Sequence, residues 1–374
     1  MRNILFLLLL FGAFLYACGQ KISEIDQKII TLEFNGDWER ADSLLNMEIS
    51  KNPQLAKYHM LKAHLYFYSR FFKAGAFSRD TSIALVKLHA LKAIEVAEAG
   101  DETPDNLFYL GSSYGLLSRV QIMNAEYWNG YWSARSSRNY LEEVLDEDPG
   151  YTDAYLGLGV TEYYTDAVLG PWSYAGVWLI GLGGDRETGL EYFNKVYAEG
   201  SLFKAEAGLV LISVSRFFEN DNSTAFEIAG VYREKYPNNA FVANQYGQVK
   251  FMALVDERGV EFLETEFDSL KTKHGVTNSF LLNTLGYSLV TQNRLDDALF
   301  VFQQNLRLFP DVANCYDSLA ECYLTRGDNE NAIKYYRLAY EKIDVDDPAN
   351  AAFNERIKIS IKQNLEELGA PIDN

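Results

Sequence analysis

Cysteine is nearly absent from this chain of 374 residues: apart from Cys18 near the start there are only Cys315 and Cys322. Seven residues apart on one helix, these two would have Cα atoms about 10.5 Å apart at a rise of ~1.5 Å per residue, too far for a disulfide. They read as reduced, buried packing residues. With no further Cys or His close in sequence they make a poor zinc site. Histidine is scarce as well: His59, His64, His89 and His274 are the whole set, no HExxH occurs, and His59 and His64 share no helical face. All four read as polar positions on helices, and no metal or cofactor is implied. Basic charge is in deficit, with 34 Lys and Arg against 52 Asp and Glu and a net charge of −18. Nucleic acid binds by releasing counterions to Lys and Arg, so this balance argues against it. The same charge keeps a long chain soluble. No low-complexity segment or linker divides the chain.

Motifs with chemical meaning are few. Gly111-Ser112-Ser113-Tyr114-Gly115 matches G-x-S-x-G, which would make Ser113 the nucleophile of a hydrolase. That mechanism needs a strand leading into a sharp turn, whereas Asn106 to Leu117 reads as a helix, so no catalytic residue is assigned. Gly181-Leu182-Gly183-Gly184-Asp185-Arg186 lacks the Lys-Ser/Thr pair of a phosphate loop. Asp185 fits instead the N-cap of a helix running through Leu190 and Phe193.

What the chain does contain is a pattern that returns after 34 residues: Leu285-Gly286, Leu289, Ala298, Phe302 and Pro310, then Leu319-Ala320, Tyr323, Ala332, Tyr336 and Ala339. Gly286, Ala298, Ala320 and Ala332 are small enough to bring two antiparallel helices close. Phe302 and Tyr336 fill the space between hairpins, and Pro310 ends the second helix. Asn293 and Gly327 stand between the helices, the residue types that most readily turn left-handed after a helix. On these residues the chain resembles the tetratricopeptide repeat (TPR) superfamily. The resemblance implies an all-α fold, a right-handed α-solenoid of TPR-like helical hairpins. Gly36, Ala41 and Pro53, and Ala225 with Pro237, repeat parts of the spacing. Leu110-Gly111 with Tyr114, and Gly208, look like first helices of degenerate units. The clearest repeats are 279–312 and 313–346, with degenerate repeats over 22–276 and room for roughly eight to ten helical pairs. Ile357, Ile361, Leu365 and Leu368 form one face of a capping helix over 351–368, ending at Gly369 and Pro371. The stretch from Glu187 through Ala205-Glu206-Ala207-Gly208 resembles a branch of the superfamily found in bacterial exported proteins and implies no specific function.

At the start, Arg2 precedes an apolar run from Ile4 to Tyr16, followed by Ala17-Cys18-Gly19. The run is short for a bilayer span and reads as an export signal. Its end resembles the bacterial lipobox, which implies cleavage after residue 17 and acylation of Cys18. Tyr16 is bulkier than usual there, and an ordinary secretory signal is the alternative. Removing 1–17 takes away one Arg and no acid, so −18 becomes −19. The mature chain, 18–374, reads as one continuous solenoid.

The middle third departs most from the repeat. Residues 167–184 hold no charge and include Trp172, Tyr174 and Trp178, but Pro171 and five glycines make a poor spanning helix. They read as an insertion packed on the solenoid, or as an apolar partner site. Tyr127-Trp128-Asn129-Gly130-Tyr131-Trp132 and then Tyr151, Tyr155, Tyr163 and Tyr164 are either core aromatics or exposed anchors. The function expected is therefore a non-catalytic, lipid-anchored scaffold at the bacterial cell envelope, in the outer membrane. It binds a protein or peptide partner through Tyr127, Trp128, Tyr131, Trp132, Trp172 and Trp178. A glycan-binding outer-membrane lipoprotein is the alternative, and an all-helical hydrolase the third reading.

Overall fold

The computed structural model describes residues 22–72, 78–179, 183–343 and 351–372, with side chains over 22–69, 78–167, 183–343 and 354–372. Cys18 and its apolar leader lie outside the described residues, as do the side chains of Trp172, Tyr174 and Trp178. Among the described residues there is no strand, and seventeen α-helices follow one another. They are α1 Glu24–Phe34, α2 Trp38–Lys51, α3 Ala56–Phe72, α4 Arg79–Glu98, α5 Pro104–Met123, α6 Tyr127–Glu147, α7 Ala154–Leu179, α8 Arg186–Glu199 and α9 Lys204–Phe217. After them come α10 Asn222–Lys235, α11 Ala240–Arg258, α12 Phe262–Thr265, α13 Phe280–Thr291, α14 Leu295–Leu308, α15 Ala313–Thr325, α16 Asn329–Ile343 and α17 Ala351–Glu367. From α1 to α9, and again from α13 to α17, each helix packs on its successor. Short connections make such neighbours antiparallel. The fold is all-α and built of helical hairpins, and the chain divides into two compact units. Unit 1 is Met1–Glu219 with Glu227–Ala243; unit 2 is Asn220–Phe226 with Asn244–Asn374.

One turn recurs through the hairpins. Gly36, Ala125, Asn293 and Gly327 have φ of 78°, 59°, 59° and 80°. Their N–H groups, and those of the residues after them, bond back to the closing helix: Gly36 to Glu33 and Asp37 to Leu32, Ala125 to Ile122 and Glu126 to Gln121. Asn293 bonds to Val290 and Arg294 to Leu289, and likewise Gly327 to Leu324 and Asp328 to Tyr323. These paired bonds are the Schellman closure, which satisfies the last carbonyls of a helix when one residue turns left-handed. Five residues later each hairpin has a buried small residue, Ala41, Gly130, Ala298 or Ala332. Asn220, at φ 54°, precedes the buried Ala225 at the same spacing.

The small residues are needed sterically. A Cβ on Gly286 would lie 2.4 Å from the ring of Phe302, and one on Gly208 would lie 2.1 Å from the Tyr232 hydroxyl oxygen. In unit 2, Phe302 and Tyr336 are fully buried, with Ile361 and Leu365 of α17 closing the end of the stack. The segment 167–184 differs from the insertion expected, because α7 runs as one helix to Leu179 with Pro171 inside it. Among the described residues no helix is long and apolar enough to cross a membrane.

Candidate functional site

The packed face of α6 is Gly130, Ser133, Ser137, Leu141 and Val144. These positions recur every three or four residues, so they form one stripe, small at its start. Small residues there let α5 come close and leave no pocket for a ring. The aromatic residues of this turn therefore lie on the outer faces. Tyr127, Trp128 and Trp132 are 68%, 67% and 47% exposed. Trp128 stacks on Tyr131 at 5.8 Å between centroids and meets Trp132 edge-on at 5.6 Å, while Tyr131 and Trp132 lie 5.0 Å apart. The Arg135 guanidinium sits 5.7 Å over the Trp132 ring, within the range of a cation–π contact. Exposed Ile122 at the end of α5 packs where Gly130 lacks a side chain. The later aromatics divide differently: Tyr151 and Tyr163 are core, and Tyr155 and Tyr164 are half-buried. The structure thus brings Tyr127, Trp128, Tyr131 and Trp132 together on one helix.

A second constellation lies inside unit 1. Glu206 of α9 accepts hydrogen bonds at 2.8 Å from the Tyr68 hydroxyl, at 2.6 Å from Arg119 and at 2.9 Å from Nε2 of His64. Nδ1 of His64 lies 2.8 Å from Glu33. Four helices, α1, α3, α5 and α9, meet in this cluster. Burial alone would lower the His64 pKa, but the carboxylates of Glu33 and Glu206 overcome it and hold the imidazolium up to about 10. Burial would likewise raise Glu206, yet Arg119 and His64 keep it well below the usual carboxylate range. Two cations face two carboxylates, so the cluster is neutral overall. Both nitrogens of His64 are engaged, which leaves no lone pair for a base or a metal. The adjoining cavity, about 30 Å³ and lined by Ser112, Ser137 and Phe203 among others, has room for about two waters.

His64 was expected as a polar position on a helix; it lies on α3, buried, and its partners come from 31 and 142 residues away. His59 and His89 stack at 5.6 Å, and burial is the main cause lowering both pKa values, His89 to about 4. Ser113 is fully buried in α5, so the strand-turn-helix context of a nucleophile elbow is not there. Asp185 caps α8, accepting from the Thr188 N–H at 2.6 Å. Cys315 and Cys322 are buried and form no disulfide. Among the described residues no group of three or more His, Cys, Asp or Glu could hold a metal ion.

Comparison with known proteins bears on unit 2. The family model of the tetratricopeptide repeat matches residues 283–351. No curated protein matches the chain. Among solved structures, the TPR domain of P58(IPK) is 12% identical, over 92% of this chain and 97% of that one, at a TM-score of 0.24. Yeast Tom70 is 14% identical, over 90% of this chain and 88% of that one, also at 0.24. Superpositions at that level say nothing of how the helices here are arranged. Residues 283–351 are similar to the tetratricopeptide repeat, in the place where the 34-residue spacing is clearest.

Proposed function

We propose that the protein is a scaffold, held to the outer membrane of a bacterial cell envelope by a lipid on Cys18, that binds a protein or peptide partner through the aromatic face at the start of α6. The observation that carries this is the joint exposure of Tyr127, Trp128 and Trp132 beside Tyr131, on a helix whose opposite face is packed. Large rings fixed on a helix offer contact area at little further loss of side-chain freedom, and such residues dominate the energy of interfaces. Truncating a central anchor typically costs about 2 kcal/mol or more, roughly thirtyfold in affinity.

The test is to compare Trp128→Ala and Trp132→Ala with the unaltered protein, measuring partner retention after mild crosslinking in membranes together with the melting temperature. Retention should fall while melting is unchanged, since neither ring supports the core. Unchanged retention in both variants rejects this face as the partner site. Trp172→Ala and Trp178→Ala join the same measurement, because α7 packs on α6. Loss of binding to a glycan rather than to a protein would select the sugar-stacking alternative. The anchor is tested separately: Cys18→Ala should move the protein from the detergent phase to the soluble exported fraction, and continued retention in detergent rejects it.

A further inference from the structure

The cavity beside Glu206 is walled by residues of α3, α5, α6, α7 and α9, and part of its polar lining is not used by the charge cluster. Arg119 lines it, and among the described residues its guanidinium makes one hydrogen bond, at 2.6 Å to Glu206. The other N–H groups of that planar fork have no protein acceptor. The Phe67 ring lies 5.6 Å from the guanidinium carbon and supports its face. The Arg119 side chain is 23% exposed, so it can be reached from solvent. Ser112 of α5 and Ser137 of α6 line the same cavity, Ser137 being buried, and neither hydroxyl bonds to another group among the described residues. A buried hydroxyl without a partner is costly to the fold.

Two glycines of the lining keep space in front of Ser137. A Cβ on Gly115 would stand 3.1 Å from Ser137 Oγ, and one on Gly157 would stand 4.0 Å from it. Packing alone accounts for Gly157, whose Cβ would collide with Leu141 at 2.4 Å. Gly115 differs, because within 4 Å its Cβ would meet only Ser137. Inside a helix glycine is the weaker choice beside alanine, and here its effect is to leave a buried hydroxyl uncovered. Leu116, Leu156 and Phe203 add an apolar wall. At about 30 Å³ the space takes about two waters, close to what the oxygens of one carboxylate occupy.

We propose that this cavity, with Arg119, Ser112 and Ser137 as its donors, binds the carboxylate of a small free monocarboxylic acid with a short alkyl tail. Donors outnumber open acceptors there, since Glu206 already accepts from Tyr68, Arg119 and His64. A ligand must therefore bring acceptor oxygens, and a carboxylate matches the planar fork of a guanidinium. The cluster is neutral before binding, so directed hydrogen bonds hold the ligand rather than a net field, and the partial exposure of Arg119 lets water share the added charge. The tail lies against Leu116, Leu156 and Phe203, where burial of apolar surface favours it. A peptide carboxylate fits poorly, because the amide N–H next to it would face that wall without an acceptor. The inference does not rest on the scaffold reading and uses none of the α6 aromatic residues, so failure of the Trp128 and Trp132 variants leaves it standing.

The experiment titrates the full-length protein with sodium acetate, sodium propionate, acetamide and sodium chloride, reading calorimetric binding and melting temperature. Both carboxylates should bind saturably and raise the melting temperature. Acetamide, of nearly the same shape but uncharged, should bind at least about tenfold more weakly, and chloride at the same concentration should leave the melting temperature unchanged. Gly115→Ala, which puts a methyl in front of Ser137, should weaken propionate binding at least about tenfold while the unliganded protein melts no lower, alanine being the better helix former. Ser137→Ala should weaken it roughly three- to tenfold, and decides alone if Gly115→Ala disturbs the fold. An Ala-Ser peptide with a free C-terminal carboxylate should bind at least about tenfold more weakly than propionate. No saturable binding of either carboxylate, equal binding of acetamide or of the peptide, the same melting shift with chloride, or undiminished binding in Ser137→Ala would each overturn the proposal.

Discussion

The two units treat buried charge in opposite ways. In unit 1, Glu206 is surrounded by Arg119, His64 and Tyr68, and helices far apart in sequence are joined through it. In unit 2, the interior is apolar and follows the repeat, with Phe302 against Gly286 and with Tyr336 among small residues; Asp317 is its one buried acid among the described residues. Unit 2 is thus held by contacts between neighbouring helices, which any change spreads over a single hairpin. Unit 1 depends in addition on a charge cluster in which each member needs the others. Breaking a buried pair costs more than the pair contributes, because it leaves a charge in a medium that cannot solvate it.

The largest expected effect follows from that asymmetry. Glu206→Ala leaves His64 and Arg119 facing each other without their shared anion. It should lower the stability of unit 1 by about 3–5 kcal/mol, as read from chemical denaturation. The matching change in unit 2, Asp317→Asn, has the opposite sign. Above neutral pH it removes an unpaired charge and should raise the melting temperature by a few degrees, at roughly 2–4 °C per kcal/mol for units of this size. A Glu206→Ala cost below about 1 kcal/mol would mean that the cluster is solvated and the contrast between units is false.

Titration sharpens the comparison further. The His64 pKa in the folded chain is about 10 against 6.5 for the free side chain. The folded state therefore holds a proton that the unfolded state releases, and the stabilisation is complete below 6.5 and is lost as pH rises toward 10. Asp317 is also raised, from 3.8 to about 7. Its contribution is complete below 3.8 and is lost as pH rises through 7. Melting followed against pH should accordingly show unit 2 weakening between about 4 and 7 and unit 1 between about 6.5 and 10. His64→Gln should flatten the second interval and leave the first alone. If the slope above pH 7 is the same in His64→Gln, the imidazolium is not what joins α1, α3 and α9.

Much of unit 2 was legible in the sequence, because its contacts repeat at one spacing. Gly286, Ala298, Phe302, Asn293 and Gly327 could be read from residue size and backbone freedom alone. The cluster around Glu206 could not. Its members lie 142, 138 and 87 residues from Glu206, and no local pattern marks them. The α6 aromatics were visible as residues, yet their exposure depends on the small stripe Gly130-Ser133-Ser137 on the other face, which only the helix register reveals. Asp317 was passed over because an acid on an amphipathic helix normally lies in water, and the burial of α15 by its neighbours overrides that expectation.

The smallest predicted effect concerns a turn shared by both units. Ala125 occupies the left-handed place that Gly36, Asn293 and Gly327 hold in other hairpins, at φ 59°. A side chain with a Cβ in that conformation is strained by about 1–2 kcal/mol. Glycine there removes the strain but gives the unfolded chain more freedom, which takes back about 0.4–1 kcal/mol. Ala125 is exposed, so no packing is lost with its methyl. Ala125→Gly should therefore stabilise unit 1 by roughly 0.5–1 kcal/mol, seen as a small rise in melting temperature. The reverse change in unit 2, Gly327→Ala, should cost about 1 kcal/mol at a turn where φ is 80° and nothing stands within 4 Å of the added carbon. Equal and opposite shifts would establish that one turn serves both units on the same terms. If Ala125→Gly lowers the melting temperature, the α5–α6 connection is held by something other than the Schellman closure, and the exposed aromatic face that follows it at Tyr127 is positioned differently from the repeats of unit 2.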